Sequence, residues 1–94
     1  MLFLVARILK PGSADQLLAL QGAFNEHLSQ PLRRIALAGL LRDKDGERTG
    51  YLAFVEAKDF ADAEDYLHQS PFYRSDLYER VQVAEFNPQV GSLE

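Results

Sequence analysis

Ile35-Ala-Leu-Ala-Gly-Leu-Leu41, Arg42-Asp-Lys-Asp-Gly-Glu-Arg48 and Tyr51-Leu-Ala-Phe-Val-Glu56 decide the fold. Two apolar runs flank a charged turn that contains Asp45-Gly46. Asp-Gly suits a link that needs positive φ, because glycine has no Cβ to clash. The stretch therefore predicts a hairpin, with strand 2 over Ile35–Leu41 and strand 3 over Gly50–Glu56. Tyr51, Ala53 and Val55 fall on one face of strand 3, with Leu52 and Phe54 on the other. Neither face is polar, so the strand asks to be covered on both sides.

Working outward, Leu2–Leu9 reads as strand 1, again apolar on both faces, with Arg7 as the one charge. Pro11-Gly12 ends it. Ser13 is expected to cap a first helix with its hydroxyl, and Asp15 suits the positive helix end. Leu17, Leu20, Phe24 and Leu28 form its apolar stripe, and Pro31 sets its end near Ser29 or Gln30. A second helix is expected from Asp59, with Phe60, Ala63 and Leu67 buried. Ser70-Pro71 opens a short segment to about Leu77. Strand 4 is expected over Val81–Phe86, closed by Asn87-Pro88, with a loose tail beyond.

The order β-α-β-β-α-β is that of an α+β, ferredoxin-like plait with a four-stranded antiparallel sheet. Right-handed crossovers put both helices on one sheet face. The other face would then be an apolar patch large enough to demand a partner. A homodimer packed sheet to sheet is the expected answer.

The 94 residues suit one small domain, 1–94, and a 47% apolar share suits a folded core. A formal net charge of −4 and the two-residue spot Arg33-Arg34 argue against nucleic acid as a partner. The absence of cysteine excludes disulfides, zinc-thiolate sites and thiol nucleophiles, and is compatible with the cytoplasm. Met1–Lys10 lacks a basic leader and is too short to cross a bilayer, so no membrane role is expected. Two separated histidines give no metal pattern, and no glycine-rich phosphate loop is present. No cofactor is expected.

The chain resembles the YciI-like family, small members of the dimeric α/β-barrel superfamily. The markers are Met1-Leu-Phe-Leu-Val5, the stretch Leu37–Gly46, and Ser70-Pro-Phe72 followed by Leu77-Tyr78 and Val81–Phe86. The resemblance implies a cleft that uses a histidine and an aspartate, and one branch resembles a dehydrochlorinase of a chlorinated hydroquinone. His27 matches the family histidine of the first helix. Leu40 stands where the family often has proline, and Ser70 where it often has aspartate.

The candidate residues follow. His27 has the acid–base chemistry of a general catalyst, or is a partly exposed histidine at a helix end. Asp43, Asp45 and Asp76 are available to orient its ring. Arg7 needs an anion, which a ligand carboxylate or phenolate, Glu85 or Glu56 could supply. Ser70, Phe72 and Tyr73 cluster around the short segment as substrate-binding candidates, or as a cap and core. His68 suits the negative end of the second helix. These residues are compatible with a cofactor-independent lyase or isomerase acting on a small polar metabolite. The alternative is a non-catalytic small-molecule-binding or accessory dimer, and a third reading is a purely structural one.

Overall fold

The computed structural model describes residues 1–29 and 34–91. The elements run β1 (Leu2–Leu9), α1 (Ala14–Leu28), β2 (Ile35–Arg42), β3 (Arg48–Glu56), α2 (Phe60–His68), α3 (Pro71–Arg74) and β4 (Tyr78–Glu85). The sheet order is β2-β3-β1-β4, every pairing antiparallel, which is the ferredoxin-like arrangement.

The hairpin forms where expected. Asp43 closes its turn by accepting the amides of Asp45 and Glu47, and Gly46 supplies φ +82. Both strands reach further into the charged segment than their apolar runs, to Arg42 and from Arg48. Gly50 pairs with Ile8 of β1, hard against the β1 backbone. A Cβ there would collide with the carbonyl of Arg7, so glycine is required for this approach.

The period of two in β1 sorts its side chains cleanly. Phe3, Val5, Arg7 and Leu9 are buried beneath the helices, and Leu2, Leu4, Ala6 and Ile8 are half-buried on the other side. Paired residues share a face, so Leu52 and Phe54 of β3, Leu37 of β2 and Ala84 of β4 join that second face. Phe54 also meets Phe86 at 4.8 Å. This chain leaves the face uncovered.

Four local expectations change. Ser13 occupies the cap position of α1, but its hydroxyl donates to the Lys10 carbonyl at 2.7 Å and caps no helix amide. Asp59 does cap α2, accepting from the Asp62 amide at 2.8 Å. Phe60 is half-exposed, stacked edge-on to Phe3, and Tyr66 takes the buried place between Ala63 and Leu67. The segment after Pro71 is helical only to Arg74, and β4 begins three residues early because Tyr78 already pairs with Leu9. α1 ends at Leu28, with Ser29 as its cap residue. Gln30, Pro31 and Arg33 lie outside the described residues, as does the end of the tail after Gly91.

Candidate functional site

Beneath the helices the core is not wholly apolar. Five polar side chains meet there: Arg7 from β1, His27 from α1, Tyr66 from α2, Ser70 before α3 and Tyr78 from β4. Arg7, Tyr66 and Ser70 are fully buried, and His27 is 7% exposed. Of the two readings of His27, the partly exposed helix-end histidine is not the one found: the side chain is buried. Three helical turns from Leu17, the buried side of α1 still carries Phe24 and then His27.

Arg7 is the hub. Its Nη1 lies 3.3 Å from His27 Nε2, and its Nη2 donates to the Tyr66 hydroxyl at 3.5 Å. Its guanidinium also lies 5.5 Å from the Phe24 ring centroid and 5.4 Å from that of Tyr66. Its Nε is buried with no hydrogen-bond partner. Glu85 and Glu56 do not neutralise it. Glu56 pairs with Arg34 at 3.4 Å and with the N-terminal amine, and lies opposite Leu2 rather than Arg7. Among the described residues, no carboxylate bonds to this guanidinium, so a whole positive charge stays in the core on neutral acceptors.

The charge fixes the chemistry of His27. A guanidinium only donates, so a hydrogen bond here calls for Nε2 as the acceptor and for a ring protonated at Nδ1. Tyr66 stacks on the imidazole at 4.4 Å and 21°, which holds the ring plane. A cavity of about 350 Å³, lined by Ala23, Glu26, His27, Gln69, Pro71 and Arg74, opens onto the histidine from solvent.

Ser70 and Tyr78 complete the cluster with a 2.8 Å hydroxyl–hydroxyl contact. Ser70 stands at the N-cap of α3, but its side chain turns to Tyr78 instead of capping. Burial pushes the Tyr78 phenol above its ordinary 10.0, with Arg7 and the Ser70 bond pulling partly back. The unfolded chain therefore loses this proton first as pH rises. The stabilisation is complete below pH 10 and is lost as the pH climbs through the folded value. Tyr78→Phe is expected to remove one phenolate step lying above the ordinary tyrosine range in an ultraviolet titration. It should also flatten the alkaline loss of stability. Superimposable titrations of the two proteins would contradict this placement.

The other candidates lie elsewhere. Phe72 is core, stacked on Phe24 at 4.2 Å and 10°. Tyr73 is on the surface against His68, 4.7 Å away, and His68 is itself exposed in the last turn of α2. Asp43 is spent on the hairpin turn, and the exposed Asp76 pairs with Lys10 at 2.9 Å. Both aspartates sit at the end of the sheet where β1 leaves for α1, and His27 is about 20 Å along the helix axis from Ala14. Tyr66 and Tyr78 were not singled out as site residues from the sequence. Tyr66 lies three residues after Ala63, on the stripe of α2, and that spacing is the signal that could have found it. Among the described residues, no group of three or more His, Cys, Asp or Glu could hold a metal, and no helix is long and apolar enough to cross a membrane.

Comparison with known proteins places the fold and the family. No curated protein matches the chain. Among solved structures, it is similar to the 5-chloro-2-hydroxyhydroquinone dehydrochlorinase of Burkholderia phenoliruptrix, solved in complex with 2,5-dihydroxybenzoquinone. The TM-score is 0.82 at 23% identity, covering 93% of this chain and 94% of that one. A putative antibiotic biosynthesis monooxygenase of Bacteriodes thetaiotaomicron matches with a TM-score of 0.58 at 16% identity, over 100% of this chain and 93% of its own. These likenesses carry the fold. The family match is to the chain's own sequence and spans residues 1–87: the protein belongs to the YCII-related domain family.

Proposed function

We propose that this protein is a cofactor-independent enzyme of the lyase or isomerase type, acting as a cytoplasmic homodimer on a small polar aromatic metabolite. His27 is its general acid–base. The observation that carries the reading is the Arg7–His27 contact at 3.3 Å beside a solvent-open cavity. That contact is long for a hydrogen bond and replaceable. A substrate hydroxyl entering from the cavity displaces Arg7 from Nε2 and gives its proton to that nitrogen. The oxyanion left behind pairs with the guanidinium. In an elimination, protonated His27 returns the proton to the ring carbon that bears the leaving group as the oxyanion becomes a carbonyl, and loss of a second hydroxyl proton to His27 then drives the leaving group out as an anion.

The uncharged partners of Arg7 support this reading. A buried cation is expensive without an anion, and a transient oxyanion is what it is arranged to meet. The Burkholderia dehydrochlorinase supplies the probe. Incubation with 5-chloro-2-hydroxyhydroquinone or related halogenated hydroquinones is expected to release chloride in proportion to enzyme. Saturable binding of 2,5-dihydroxybenzoquinone with no release would favour the second reading, a module that binds without turnover. The side chain of Ser70, turned to Tyr78 where the family often has aspartate, is the observation on its side.

The dimer is proposed from the uncovered sheet face. Leu2, Leu4, Ile8, Leu52 and Phe54 lie there half-buried within the single chain. Phe54→Asp puts a charge in the middle of that face and is expected to give a folded monomer by light scattering, against a dimeric wild type. A wild type that is monomeric at micromolar concentration would remove the proposal.

A further inference from the structure

α1 covers β1 and β3 but stops short of β2, so the helix-side face of β2 stays open. Ala38 and Leu40 lie on that face, paired with Ala53 and Tyr51, and both are exposed. The gap is a groove of about 320 Å³. Its apolar lining includes Leu28, Ala38, Leu40 and Leu52, and its polar lining Gln21, Asn25, Arg48 and Tyr51. It shares no residue with the cavity at His27.

Arg48 gives the groove its chemistry. The half-buried guanidinium donates to the Tyr51 hydroxyl at 3.0 Å and to Gln21 Oε1 at 3.3 Å. Gln21 is held in turn, donating to Asn25 Oδ1 at 2.9 Å. The Tyr51 ring is wedged against Phe24 at 4.5 Å. The cation is therefore fixed in place by neutral groups, and no carboxylate bonds to it among the described residues. Arg42 and Lys10 differ: the first donates to the Gly46 carbonyl within its own turn, and the second pairs with Asp76. Arg48 also lines the larger cavity of about 690 Å³ at the start of α1, which meets the groove at Leu40 and Arg48.

A fixed cation at one end of an apolar trough is complementary to one kind of small molecule. We infer that the groove between α1 and β2 is a second ligand site, taking an amphipathic monocarboxylate with its head on Arg48 and its hydrocarbon body on Leu28, Ala38 and Leu40. The groove falls within the usual size of small-molecule pockets, roughly 300–1,000 Å³. Holding Arg48 before the ligand arrives removes much of the ordering cost of a salt bridge.

The test uses octanoate and octanol as probes, with binding followed by calorimetry and by methyl NMR of Leu28 and Leu40. Octanoate is expected to bind one per chain, about tenfold or more tighter than octanol, a gap of the size of one charge-assisted contact. Arg48→Met should abolish that difference, and Ala38→Phe, which fills the trough, should block both probes. The inference is overturned if octanoate does not saturate, or if Arg48→Met leaves the preference for it intact. It is also overturned if Ala38→Phe dissociates the dimer, since a second copy then occupies the groove. Because the two cavities share no lining residue, failure here leaves the His27 reading standing, and a silent His27 leaves this one standing.

Discussion

His27→Ala is expected to lower turnover of the protein's substrate by about 10²- to 10⁴-fold, the usual contribution of a positioned general acid–base. The loss should fall on kcat, because the substitution leaves the cavity walls at Ala23, Gln69 and Pro71 in place. His27→Gln should not restore activity. Glutamine can accept from Arg7 but does not take up a substrate proton. The substitution also removes a ring stacked on Tyr66 at 4.4 Å, so a denaturation curve must accompany the kinetics. A variant that unfolds at lower denaturant but keeps kcat would assign His27 to packing alone.

Arg7→Ala is the second large effect. The side chain is fully buried and among the largest in the core, so truncation is expected to cost about 3–5 kcal/mol, as for large core residues elsewhere. Packing and charge separate at Arg7→Met. Methionine fills most of the space that alanine leaves empty. It also relieves a buried charge that no carboxylate among the described residues neutralises, and such burial costs several kcal/mol. Arg7→Met is therefore expected to be as stable as wild type or more so, yet to lose activity because Nε2 of His27 has lost its donor. Arg7→Lys should not rescue, since a single ammonium cannot reproduce the fork that reaches both His27 and Tyr66. If Arg7→Met loses as much stability as Arg7→Ala, the charge is structural and the functional reading of the cluster fails.

The fold was legible because its strands are short apolar runs and the breaks between elements carry Asp-Gly, Pro-Gly and Ser-Pro. Those local signals agree with one another and with the plait order. Caps were less legible. Ser13 and Ser70 have the right identity at the right place, but a hydroxyl has several acceptors within reach and each found a better one. The site was half legible. The alternation put Arg7 on one face of β1 with Phe3 and Val5, without telling which face the helices cover, and its need for an anion followed from chemistry. Its actual partners come from α1 and α2, 20 and 59 residues away. Strand and helix periods say which face a residue occupies, not which other element meets it there. For the same reason, Asp43 and Asp76 could not be ranked as partners of His27 from spacing. Their positions became clear only with the hairpin turn and the Lys10 pair.

The most direct test of the acid–base role is the protonation pattern of the His27 ring, read by long-range proton–nitrogen NMR on the neutral-pH protein with and without 2,5-dihydroxybenzoquinone. A neutral ring is expected, protonated at Nδ1 and bare at Nε2, as acceptance from Arg7 requires. The Nε2 signal should move in proportion to bound ligand as Arg7 is displaced. A ring protonated at Nε2 in the free protein, or one whose nitrogens are unmoved at saturating ligand, would contradict that role.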